Sequence, residues 1–179
     1  MKTLFANLAL LLLPLMLFGQ TTWQQTSASV SFTIKNMGSN VTGTFGAPNT
    51  TLVFSPDKLE ASSLKGSVSV NTINTGISKR DEDLKSSKYF DAGNHPRIDL
   101  ASTKLAQNGD KYIGTFNITI KGTSKQIEIP FEFTQSGSNA EFKGDFTINR
   151  RDFGVGTKGG LARFLSDDVH VHIAIKAKS

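Results

Sequence analysis

The 179-residue chain contains no cysteine, and that absence removes several chemistries at once. Disulfides, thiolate metal centres, cysteine nucleophiles and lipid attachment through an N-terminal cysteine are all excluded. Long apolar runs are scarce too. The clearest, Leu8 to Phe18 within "MKTLFANLALLLLPLMLFGQ", falls short of the roughly 20 residues a membrane-spanning helix needs. With Lys2 before it and a small or polar exit after it, the segment reads as a secretory signal peptide over residues 1–20. Cleavage near Gln20 or Thr21 would leave one domain at 21–179. A cysteine-free exported chain fits a periplasmic or secreted location, and nothing later in the chain asks for stable membrane insertion.

Charge of one sign is never massed. The formal net charge is +5, but basic residues alternate with acidic ones, so nucleic acid is not an expected partner. Catalytic signatures are missing as well. There is no G-x-S-x-G elbow, and Asp81, Glu82 and Asp83 show no acid/base spacing, so no enzyme is predicted. His170 and His172 share the polar face of one strand without a third ligand, which predicts no metal site. No other cofactor is indicated. "GVGTKG" at 154–159 matches G-x-G-x-x-G but lacks the strand–turn–helix context that gives the pattern meaning, and reads as a loop.

What the chain does have is alternation. Val30, Phe32 and Ile34 alternate with Ser31 and Thr33, and the same period recurs to Val169, Val171, Ile173 and Ile175. Turn residues at "NMGSN", "QNGD", "KGTSK" and "QSGSN" separate the runs. The pattern predicts an all-β fold, an extended eight-stranded antiparallel barrel with a polar exterior. Four strands place glycine on the apolar phase, at Gly43, Gly66, Gly114 and Gly144. Such glycines serve either barrel curvature or an open interior. If the interior is open, the predicted lining is Phe32 and Phe45, then Gly66 and Val68, then Phe116 and Ile118. Phe131, Phe133, Phe142, Gly144, Phe146 and Ile148 complete it from the next two strands.

One stretch breaks the rhythm: "ISKRDEDLKSSKYFDAGNHPRI", from Ile77 to Ile98. It predicts a short amphipathic helix capped by Ser78, with Leu84, Tyr89 and Phe90 turned to one barrel end, as a gate or as a plug. His95 before Pro96 then returns the chain to extended geometry. Arg80 and His95 are candidates for the cavity mouth. Arg150 falls on the inward phase after Phe146 and Ile148. It is expected either to pair with Asp152 or the Asp81/Asp83 group, or to meet a polar head group.

Four segments in order, "SVSFTIKNMGSNVTGTF", "LKGSVSVNTINTGISKRDEDLKSSKYFDAGNHPRIDLAST", "GTFNITIKGTSKQIEIPFEF" and "FTINRRDFGV", resemble the YceI-like lipid- and polyisoprenoid-binding proteins. The resemblance covers essentially all of residues 21–179. It implies a lipocalin-like barrel holding a long-chain isoprenoid or fatty-acid-derived ligand, as an exported carrier or sequestering protein. An enzyme acting on such a lipid, or a structural or stress-linked protein without a dedicated ligand, stays open, as does a homodimer.

Overall fold

In a computed structural model the described residues are 21–157 and 164–179. The expected signal peptide and the end of the "GVGTKG" stretch lie outside them. Alternation becomes strands β1 (Thr22–Asn36), β2 (Ser39–Phe45), β3 (Asn49–Val53), β4 (Ser63–Ser69), β5 (Arg97–Asn108), β6 (Lys111–Ile120), β7 (Thr123–Ser136), β8 (Asn139–Asn149) and β9 (Leu165–Lys178). From β3 to β9 each strand pairs with the next, and β1 pairs with β9 to close the barrel. Both β2 and β3 lie against the other edge of β1, Phe45 to Ser39 opposite Val30 to Asn36 and Val53 to Leu52 opposite Thr22 to Trp23. They act as one strand broken at Gly46–Pro48, so nine segments make the eight staves expected from the sequence.

The turns set the register. Met37–Gly38 and Lys121–Gly122 carry φ of 51° and 82°, and of 49° and 75°, the left-handed pair that matches strand twist in two-residue hairpins. Bulges then correct the phase. Trp23 and Val30 are both buried although their positions differ by seven, an odd offset. The register shift between Gln25 and Ser27 supplies the extra residue. A second shift between Ser102 and Lys104 lets Leu105 follow Leu100 inward. Outside, His170 meets the Thr147 hydroxyl at 2.8 Å and His172 meets the Asp145 carboxylate at 2.7 Å. Both imidazoles sit on the wet face, as predicted.

The interior holds two apolar clusters. One, around Phe54, Trp23, Tyr112, Phe131 and Phe142, fills the end where β3 leaves toward β4. The other joins Tyr89, Ile118, Ile120, Phe153 and Val155 at the opposite end. Helix α1 (Ser78–Lys85) lies at that second end, but it is less amphipathic than expected and buries none of its residues. Ser78 is not its cap. Ile77 holds that position without a side-chain bond, and Asp81 accepts from the Thr75 amide at 2.9 Å and from the Thr75 hydroxyl. The apolar grip comes after the helix, where Tyr89 and Ala92 are buried.

Candidate functional site

Between the two clusters lies an apolar cavity of about 650 Å³, within the few-hundred-to-thousand Å³ range of small-molecule sites. Alternation positions its walls: every second residue of a stave points inward. Among the predicted residues, Phe32, Phe45, Gly66, Val68, Leu84, Phe90, Phe116, Ile118, Phe131, Phe142, Gly144, Phe146 and Ile148 all line it. The inward face of β9, from Val169 to Ile175, lines it too. Its alternation was read as a strand, and the same signal could have placed it on the wall.

Two predicted residues are elsewhere. Phe133 belongs below the floor, 4.7 Å from the Phe54 ring and 4.9 Å from Phe142 between centroids. The phase from Ile129 and Phe131 continues, but the aromatic cluster has already closed the barrel there. His95 is not on the lining; its ring packs over the β6–β7 turn, where a Cβ on Gly122 would come within 2.7 Å of it.

Arg150 reaches the cavity wall but is committed to the fold. Only 4% exposed, its side chain donates from Nε to the Ser166 carbonyl and from Nη1 to the carbonyls of Val155 and Gly156. Nη2 donates to Leu165 and, at 3.0 Å, to Asp167. The partner is therefore Asp167 at the start of β9, not Asp152 or the Asp81/Asp83 group. Burial pulls the guanidinium's proton affinity below its usual range, and Asp167 opposes that shift. This clamp secures the 3-10 turn Arg150–Phe153, which Asn149 caps by accepting from the Arg151 amide and Gly154 ends with φ 66°.

The mouth was legible only in part. Met37, Ile77 and Phe164, the large apolar side chains most exposed among the described residues, all border the cavity. They sit outside the strands, where no periodicity marks them. Thr75, Lys79, Arg80 and Asp83 stand on the same rim.

The glycines divide by use. A Cβ on Gly43 would overlap the Phe32 ring, and one on Gly114 would overlap Phe116, so these two make room for the protein's own aromatics. At Gly66 an added Cβ would meet only a Thr50 methyl, at 4.0 Å. We expect Gly114→Ala to cost about 1–3 kcal/mol through overpacking, while Gly66→Ala stays within about 1 kcal/mol of the parent. Urea denaturation of the two variants checks the contrast, and equal losses would overturn the division.

The comparisons with known proteins agree with this geometry. A YceI-like domain model matches residues 22–177. A UPF0312 protein of Pectobacterium atrosepticum is 28% identical over 156 residues, covering 83% of this chain and 80% of that protein. The crystal structure of Burkholderia cenocepacia BcnA superposes with a TM-score of 0.79 at 26% identity, covering 84% of this chain and 96% of BcnA. A polyisoprenoid-binding domain from Saccharophagus degradans, implicated in plant cell wall breakdown, shares the fold, with a TM-score of 0.67 at 15% identity and coverage of 88% and 97%. With the match running from the first strand to the last, the chain belongs to the YceI-like family.

Proposed function

We propose that this protein binds a long-chain lipid, isoprenoid or fatty-acid-derived, inside the barrel, as an exported carrier or sequestering protein. The cavity carries the reading. Protein interiors are close-packed, and an apolar space of about 650 Å³ open at one end is far larger than the few water-sized voids that packing ordinarily leaves. Water is a poor filling, because an aliphatic and aromatic wall offers it few hydrogen-bond partners. A long apolar chain fills such a space without leaving polar groups unmet. The Saccharophagus degradans domain of the same fold is polyisoprenoid-binding, in keeping with this ligand class. The signal-like residues 1–20 support export.

Native mass spectrometry of gently purified protein tests the proposal: a lipid-sized mass adduct is expected, and loss of that adduct in Gly66→Leu, which places a side chain in the open volume. A protein that stays ligand-free after exposure to long-chain lipids would overturn it. A lipid recovered chemically changed would turn the reading toward an enzyme.

Access runs past the insert. Leu84 and Phe90 are half-buried lining residues, and Phe90 meets Phe45 edge-on at 6.1 Å. Tyr89 is buried in the upper cluster. In this reading Tyr89 serves as a plug residue, and Leu84 and Phe90 beside it as the gate. Each gate side chain contributes at most about 1.5–3 kcal/mol to closure, so Leu84→Ala or Phe90→Ala is expected to speed release of a fluorescent long-chain ligand by about tenfold. Stopped-flow release rates beside denaturation curves separate this from Tyr89→Ala, which should act mainly on stability.

A further inference from the structure

Two arginines border a largely apolar cavity whose other charged lining residues are Lys65, Lys79, Asp83 and Lys143, and their guanidinium groups are used differently. The described partners of Arg150 are backbone carbonyls and the Asp167 carboxylate. Arg80, at the mouth, donates from Nε to the Thr75 hydroxyl at 2.7 Å and from Nη2 to the Thr75 carbonyl at 2.7 Å. Among the described residues no carboxylate lies within 4.0 Å of it, and Nη1 has no partner. Thr75 sets the orientation: its hydroxyl accepts from Arg80 while donating to Asp81. Asp81 therefore reaches the guanidinium only through that hydroxyl, and its carboxylate is also occupied by the Thr75 amide. Lys79 and Asp83 share the rim with opposite charges that offset each other.

We propose that Arg80, held by Thr75, is the head-group site, and that the ligand is a long chain ending in an anion, a carboxylate or a phosphate. The inference rests on the lipid-binding reading and sharpens it. A half-buried cation beside an apolar wall has lost part of its hydration. An anion at the mouth restores those interactions through charge-assisted bonds that a neutral head group cannot match. The chain then lies along the cavity with its tail toward the Phe54 cluster.

The test compares three ligands of one chain length, hexadecanoate, hexadecyl phosphate and hexadecanol, by displacement of a fluorescent long-chain probe from the full-length mature protein. Either anion is expected to bind about tenfold to a hundredfold more tightly than the alcohol, and the larger of the two ratios identifies the acid group. In Arg80→Gln the anion-to-alcohol ratio should collapse toward one. In Arg80→Lys, which keeps the charge but loses the planar fork, an intermediate ratio is expected, and this variant decides the matter if Arg80→Gln does not fold. Equal affinities in the parent, or a preference that survives Arg80→Gln, would overturn the head-group assignment and leave lipid binding standing. Failure of all three ligands to bind would overturn both.

Discussion

Phe54→Ala should lose about 3–5 kcal/mol of stability, the cost of emptying a large buried aromatic site. For a domain of this size that lowers the melting temperature by roughly 6–20 °C. Phe54 is fully buried. Its ring meets Tyr112, Phe131, Phe133 and Phe142 at centroid distances of 5.1, 5.7, 4.7 and 5.6 Å, mostly edge-on, the favourable aromatic arrangement. The backbone there is fixed independently, since the Trp23 indole donates to the Phe54 carbonyl at 2.9 Å and the Phe54 amide to Thr21 at 3.0 Å. The loss should therefore come from packing rather than from a displaced loop. Trp23, the single tryptophan, lies in the same cluster and reports the transition by fluorescence. A loss below about 1 kcal/mol would mean that the surrounding rings collapse into the gap, and that the floor is softer than its contacts imply.

Arg150→Met should cost a similar amount, about 3–5 kcal/mol, for a different reason. Removing the guanidinium strands the carbonyls of Val155 and Gly156 beneath Tyr89 and leaves Asp167 without its buried partner. Arg150→Lys should recover little, because one ammonium cannot span carbonyls on both sides of a planar fork. Arg151 supplies the control. It pairs with the same Asp167 carboxylate from the surface, and exposed pairs of that kind contribute about 1 kcal/mol or less. Chemical denaturation of the three variants decides it: if Arg151→Ala proves as damaging as Arg150→Met, the clamp is centred on Asp167 rather than on Arg150.

The walls of the barrel were readable because a strand's two-residue period and a barrel's inward face are the same geometric fact. Phe116, Phe142 and Phe146 follow from counting by twos. Counting fails where the backbone changes phase or stops. Trp23 was hidden behind the bulge after Gln25, and Leu105 behind the one at Thr103. Phe133 kept its phase but lay past the level at which aromatic packing closes the barrel. Phe54 is the centre of that closure, yet it follows directly on the end of β3 and no two-residue period singles it out. The Arg150 clamp joins residues 17 apart in the chain, a separation that no two-residue period marks. Arg80 was placed at the mouth from its segment alone. Its bond to Thr75 and its distance from any carboxylate are properties of folded space.

The aromatic floor also bears on traffic. A molecule seated above Phe54 cannot be threaded through the barrel, so it must depart on the side by which it arrived. In the proposed carrier role, supplier and receiver would meet the same rim, near Met37, Ile77 and Phe164, and would take turns. Exchange through such a vessel would follow ping-pong kinetics, loading and unloading each saturating separately, with no complex in which supplier and receiver are bound together.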